Sequence, residues 1–207
     1  HRTQLSLTDI SRAYFCAATD PDDPTCVELP AEDPARGVKV GRLLKHMYGT
    51  RKAGAGWHVE ISGTLTDKLG FTKGDASACI FRHPERGIDC SIHGDDLSAQ
   101  GPKAELDWYK QELEKTYELK EGARLGPGAT DDKESRMLNR IVRWTAEGLE
   151  YEADPRQSEQ LMRDLGMTGS RSVGTPGVKT TSEQISSDKD LSVERQRPYR
   201  GVAARSN

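Results

Sequence analysis

The sequence predicts an α+β domain, an antiparallel sheet of hairpin-connected strands backed by amphipathic helices. Short segments with strand character (TQLSLTD, SACIF, IDCSIH) are bounded by turn residues, the pattern of half-buried strands. Two longer stretches repeat apolar residues at helical spacing: Trp57, Ile61, Leu65, Leu69, and then Leu106, Tyr109, Leu113, Tyr117. HPERG and Gly94–Asp95–Asp96 stand between strand-like segments as tight turns.

Taken in order, TQLSLTD sets Leu5, Leu7 and Asp9 on one side of a strand, so a carboxylate ends an otherwise apolar row. Such a group must emerge into a cleft or be paired, because a bare buried charge is too costly. An acidic, proline-rich loop leads to CVEL, a brief strand, and then VGRLLKHMYGTRKAGAGW bends into the first helix, with Gly70 as its C-terminal cap. SACIF and IDCSIH follow as paired strands, and LSAQG runs away from the GDD turn. The second helix is expected from Pro102 to about Leu119, with Pro102 in its first turn. IVRW and LEYEA flank TAEG as a further hairpin. A third helix is expected from Asp154, with Asp154 and Gln157 as a capping box and Leu161 and Leu165 facing inward. Residues 167–190, rich in Ser, Thr, Gly and Lys, read as a linker or disordered arm before a basic C-terminal stretch.

With 34% hydrophobic and 30% charged residues, the 207-residue chain predicts a modest core beside long solvated loops. Its start at His1 rather than Met suggests a piece of a longer product. No apolar run approaches the roughly 20 residues of a membrane-spanning helix, so an intracellular, non-membrane protein is expected. Cys16, Cys26, Cys79 and Cys90 form no CxxC pair and read as reduced thiols. Cys79, His83, Cys90 and His93 are zinc-binding types, but Cys90 and His93 fall on opposite faces of one strand, so packed thiols are the preferred reading. Net charge is only −3, yet it is unevenly spread: an acidic stretch, Asp20 to Asp33, precedes Arg36, Lys39, Arg42, Lys45, Arg51 and Lys52. Such a basic block is ordinarily a solvated face, but it can also neutralise backbone phosphates.

An aspartate ending one strand and an Asp pair at a hairpin turn suit two-metal phosphoryl transfer. Magnesium is a hard ion that takes carboxylate and phosphate oxygens with few protein ligands, and two such ions must be held about 4 Å apart. The GDD turn alone is a common hairpin signal and decides nothing.

LTDISRAYF, TCVELPAED, LLKHMYGTRKAGAGW, SIHGDDLSAQG, EYEADPRQSEQLMRDLGM, VGTPG and PYRGVAA, in that order, resemble the landmarks of copia-type LTR retrotransposon reverse transcriptases across nearly the whole chain. The resemblance implies a polymerase palm over 1–120, a partial thumb-like region over 121–166 and a linker with a truncated segment over 167–207, the fingers being largely missing. It implies an RNA-directed DNA polymerase adding dNTPs to a primer 3′-hydroxyl, with Asp9, Asp95 and Asp96 holding Mg²⁺, or Mn²⁺ in its place. Tyr14 would pack under the nucleotide sugar and exclude a 2′-hydroxyl, with Gly49, Arg51 and Lys52 near the incoming nucleotide. Arg36, Lys39, Arg42, Lys45 and Gly94 would meet nucleic acid. The implied partners are an RNA template, a DNA or RNA primer, dNTPs and other segments of the same polyprotein, with no membrane, in cytoplasmic virus-like particles.

The sequence departs from the family at His93 and Gly94, which replace an aromatic and its neighbour, and at Gly54, which stands in place of a proline. Three rivals accompany this reading: a catalytically dead palm that at most binds nucleic acid, an RNA-dependent RNA polymerase suggested by GDD, and a binding domain whose aspartates are turn residues.

Overall fold

The computed structural model describes residues 3–120, 122–153, 155–175, 177 and 179–205. Strand β1 (Thr3–Ile10) leads through a 3₁₀ turn (Ala13–Cys16) to an arm built on β2 (Cys26–Glu28) and β3 (Val40–Arg42). Helix α1 (Ala53–Gly63) continues through a wider π turn (Thr64–Lys68). Next come β4 (Thr72–Lys73), β5 (Ile80–His83), β6 (Ile88–His93), β7 (Asp96–Pro102), α2 (Lys103–Glu114), β8 (Leu119–Lys120) and β9 (Arg124–Leu125). The rest comprises β10 (Glu134–Met137), β11 (Arg140–Trp144), β12 (Leu149–Ala153), α3 (Pro155–Asp164), α4 (Ser182–Ser187) and α5 (Val193–Arg205). The protein is thus mixed α+β with an antiparallel sheet, as its pattern of hairpins and helical stripes predicts. Among the described residues no helix is long and apolar enough to cross a membrane.

The described residues up to Met137, together with Val142–Glu150, form one compact unit. Its main sheet runs β4-β5-β6-β7-β1-β8, with β9 also paired to β1. All of its recorded pairings are antiparallel. One face carries Ile10, Phe81, Ile88, Cys90, Ile92, Leu97 and Ala99, and buries them against Trp57, Ile61, Leu65, Leu106, Tyr109, Leu113 and Tyr117 of the helical stripes. Both stripes read from the sequence therefore face this core. Leu5 and Leu7, on the opposite side, join Leu125, Val142 and Trp144 in a smaller cluster. Gly122 is required here, since a Cβ on it would run into the Leu7 carbonyl oxygen.

Several boundaries differ from expectation. Strand β5 starts at Ile80, because Ser77 makes a turn, its carbonyl accepting from the Ile80 N–H at 3.3 Å and its hydroxyl from the Cys79 N–H at 3.4 Å. Helix α2 stops at Glu114, and Leu119–Lys120 instead extend to pair with Asp9 and Ile10 of β1. The hairpin around TAEG is found as expected, closed by the Thr145 N–H donating to the Gly148 carbonyl at 2.8 Å.

The second unit comprises Leu138–Ile141 and the described residues from Tyr151 onward. Helix α3 lies where a helix is predicted, and its Asp154 cap falls outside the described residues. It has no fully buried residue: Leu161 is half-buried, but Leu165, just past the helix, is 52% exposed, so the inward face expected of the two is formed only in part. Within the stretch read as a linker, α4 forms behind a Thr181–Gln184 capping box, in which each side chain bonds the other residue's backbone N–H.

The core also fixes an alkaline limit. Burial pushes the Cys90 thiol up to about 12, and the Tyr109 hydroxyl, 3.2 Å from that sulfur, rises well above its ordinary value. Burial likewise raises Tyr117 to about 12, against the hydrogen bond it shares with Thr64. In the unfolded chain such thiols and phenols ionise near 8.5 and 10. Above those values the unfolded state sheds protons that the native state keeps, so stability is full below about pH 8 and falls as pH rises toward 12. Urea midpoints measured from about pH 8 to pH 11 should decline, less steeply in Tyr109→Phe. A flat profile would contradict the burial of these groups.

Candidate functional site

The pairing register builds one polar row across the end of the main sheet. Asp9 lies opposite Asp96 of β7 on one side and Lys120 of β8 on the other. Asp96 in turn lies opposite His93 of β6. Cross-strand partners project to the same face, so His93, Asp96, Asp9 and Lys120 stand side by side. This face is opposite the helices, since the alternate residues Ile10, Leu97 and Ile92 are buried against them. Asp9 thus ends the Leu5–Leu7 row and is paired, as its cost in isolation requires.

Asp95 joins this row through the turn. Strands β6 and β7 are connected by Gly94–Asp95 alone, with Gly94 at φ +62°, a left-handed conformation that glycine adopts without strain. Two contacts seat the turn. The Trp57 indole N–H donates to the Gly94 carbonyl at 2.7 Å, and the Ile10 N–H donates to the Asp95 carbonyl at 3.1 Å. The Tyr48 hydroxyl makes a longer contact, 3.5 Å, with Asp95 Oδ2. Tyr48 also lies on Tyr14, ring centroids 4.3 Å apart, and meets Phe15 edge-on at 5.8 Å. The Tyr14 hydroxyl is 4.0 Å from where a Gly94 Cβ would stand. Beyond β1 the chain turns sharply through Arg12, at φ 54°, whose guanidinium is held by Glu118 at 2.7 Å.

Charge is crowded here. Burial raises the Asp96 carboxyl above the ordinary aspartate value, and the neighbouring charges of Asp95 and Asp9 raise it further. The hydrogen bond from Lys120 Nζ to Asp9 Oδ1, 2.8 Å, holds the ammonium above its usual value. Burial raises the Tyr48 hydroxyl too, with help from the Asp95 charge. The donors are hard oxygens sharing excess negative charge, which suits Mg²⁺ or Mn²⁺. Among the described residues no three His, Cys, Asp or Glu side chains close into a ligand cage. Magnesium does not require one, since it binds through one or two carboxylates and keeps its remaining positions for water and substrate phosphates.

Asp9, Asp95, Asp96, Tyr14 and Gly94 are therefore brought together. Gly49 follows Tyr48 at φ +84°, and Arg51 is exposed beside it. Lys52 precedes α1 and is ion-paired with Asp23. Arg36, Lys39 and Arg42 belong to the β2–β3 arm and, among the described residues, make no hydrogen bond or ion pair with Asp9, Asp95 or Asp96, while Lys45 lies just past it, bridged to Ala18. Of the zinc-type residues, Cys90 is buried on the helix side and Cys79 is exposed, while His83 is buried and His93 stands on the opposite face. Sequence reasoning missed Tyr48, Lys120 and the anchoring role of Trp57. Tyr48 stood in the quoted LYG-type segment and could have been found there. Lys120 was hidden by reading its strand as the end of a helix.

No protein-family model matches the chain, and no curated protein matches it.

Proposed function

We propose that this chain is the palm-type catalytic part of a copia-like reverse transcriptase, joining dNTPs to a primer 3′-hydroxyl on an RNA template. The observation that carries the reading is the carboxylate row, with Asp9 directly opposite Asp96 and Asp95 in the turn between β6 and β7. Asp9 and Asp95 would hold Mg²⁺, with Asp96 as their neighbour. When bound, the metal activates the primer hydroxyl and steadies the triphosphate charge. Gly94 keeps the turn free of a side chain, so a primer end can come close. The adjoining rings of Tyr14 and Tyr48 form a wall beside the aspartates, where a sugar can be gauged by its 2′ substituent. The remaining positions of this reading follow from the resemblance: a thumb-like part beyond residue 120, a polyprotein context and a cytoplasmic particle.

Primer extension on an RNA template with Mg²⁺ or Mn²⁺ tests the reading, comparing deoxynucleotides with ribonucleotides. Incorporation should be metal-dependent and strongly favour deoxynucleotides. Tyr14→Ala should relax that preference by about 10- to 100-fold, the range a single steric contact supplies. Equal use of both nucleotides by the unaltered chain would favour an RNA polymerase.

The Lys120–Asp9 ion pair supports a second reading, a palm that binds nucleic acid without catalysis, its first aspartate neutralised by a resident lysine. Oligonucleotide binding that persists while Mn²⁺ neither binds nor alters thermal stability would select it.

A further inference from the structure

The acidic stretch and the basic block, two opposed features in the sequence, fold onto one another. Residues 20–33 contain six carboxylates, and residues 36–52 contain six cations. Hydrogen bonds to backbone carbonyls seat the acidic segment against the chain leaving β3. The Thr19 N–H donates to the Leu44 carbonyl at 3.1 Å, the Thr19 hydroxyl to the Leu43 carbonyl at 2.7 Å, and the Leu43 N–H to the Thr25 carbonyl at 2.9 Å. Three of the six cations are then engaged. Lys52 is ion-paired with the Asp23 carboxylate and donates to its carbonyl at 3.3 Å. Arg36 meets Glu28 at 3.3 Å, and Arg42 donates to the Pro21 carbonyl at 3.1 Å. The side chains of Lys39, Lys45 and Arg51 have no hydrogen-bond or ion-pair partner among the described residues.

We propose that the carboxylates of residues 20–33 form an acidic strap that occupies cations of residues 36–52 in place of a nucleic-acid backbone, and that a single-stranded nucleic acid displaces these carboxylates while the β2–β3 pairing stays in place. The nature of that polyanion rests on the polymerase reading; the strap itself rests on the contacts above. The engaged side chains are well exposed, about half or more of their surface in the Lys52–Asp23 and Arg36–Glu28 pairs, so each pair is weak and screened by salt. Tethering nevertheless gives the acids a high local concentration over the cations. A phosphate backbone wins only by engaging several cations at once, beginning with the three uncommitted ones. The strap therefore discriminates against isolated anions and short fragments in favour of long strands.

The test is fluorescence anisotropy of a labelled single-stranded oligoribonucleotide with the full chain, between about 50 and 200 mM KCl. The variant is Asp23→Asn with Glu28→Gln. The control, Asp67→Asn with Glu85→Gln, removes two exposed carboxylates elsewhere and so matches the change in net charge. The strap variant should bind several-fold more tightly than the control at low salt. Freeing Lys52 and Arg36 should also steepen its log–log salt dependence by about 1.4, since each phosphate contact on a single strand adds about 0.7. Acetylation of Lys52, followed by mass spectrometry without any oligonucleotide, should be faster in the variant. If variant and control bind alike with equal salt slopes, the strap is overturned and the acids are merely loop ties. If Lys52 is acetylated faster but no form binds the oligonucleotide, the nucleic-acid reading itself falls and the proposal falls with it.

Discussion

Asp9→Asn should lower metal-dependent nucleotide addition by about a hundred- to a thousandfold while leaving the protein folded. Asparagine keeps the shape of the side chain but removes its charge, so on the proposed reading a divalent ion would lose one of its few charged protein ligands. Loss of a group that directly stabilises developing charge costs on the order of 10²–10³ in rate, about 3–4 kcal/mol. The structural cost is small. Asp9 contributes a partly exposed pair with Lys120 and repulsion toward Asp96, effects of opposite sign and each modest. A thermal unfolding midpoint close to that of the unaltered chain should accompany the loss of activity. The variant should also lose stabilisation by Mn²⁺, which amounts to about 2.7 kcal/mol for a ligand at 100 times its dissociation constant. Full activity in Asp9→Asn would remove the carboxylate row from the mechanism. Lost activity with unchanged Mn²⁺ stabilisation would leave Asp9 some role other than holding metal.

Trp57 should prove the residue on which both fold and site depend. Its ring is 1% exposed, meets Tyr117 edge-on at 5.4 Å, and its indole N–H holds the Gly94 carbonyl. Trp57→Ala should cost about 3–5 kcal/mol through the cavity left behind, a large share of the 5–15 kcal/mol of a typical domain. Trp57→Phe separates the two roles. It retains most of the apolar surface but leaves the Gly94 carbonyl without its donor, a loss of about 1–3 kcal/mol. The aspartate turn should loosen with it, so Mn²⁺ should bind more weakly in Trp57→Phe even at temperatures where the variant is fully folded. Unaltered Mn²⁺ affinity in that variant would mean that the backbone contact from Ile10 seats the turn alone.

The parts of this protein legible in its sequence are those where side-chain period and burial coincide. Trp57, Ile61, Leu65 and Leu69 could only form a helical stripe, and Leu5, Leu7 and Asp9 could only share one side of a strand. Glycine before two aspartates marked a two-residue turn because the left-handed conformation has few other tenants. The pairing partners were not legible. Nothing local to YELK distinguishes a last helical turn from a two-residue strand, and β1, more than a hundred residues earlier, decides the matter by offering Asp9 and Ile10 as partners. Leu161 and Leu165 show the converse failure: a helical period that leaves Leu161 only half-buried and Leu165 exposed. The capping box at Thr181 was readable as T-x-x-Q but was outweighed by the surrounding Ser, Gly and Lys.

The place of β1 in the main sheet also governs the order in which the molecule can be made. It precedes every other strand of this sheet in the chain, and its neighbours β7, β8 and β9 arrive about 90 to 120 positions later. Closing such long loops is entropically costly, and topologies rich in distant pairings fold slowly. During synthesis both edges of β1 stay open while the β5–β6 hairpin and the two helical stripes can already form. An unpaired strand carrying Leu5, Leu7 and Ile10 is an aggregation hazard for that interval. Its terminal aspartate is a natural gatekeeper against that hazard, so Asp9 would protect the nascent chain before it could take part in any chemistry.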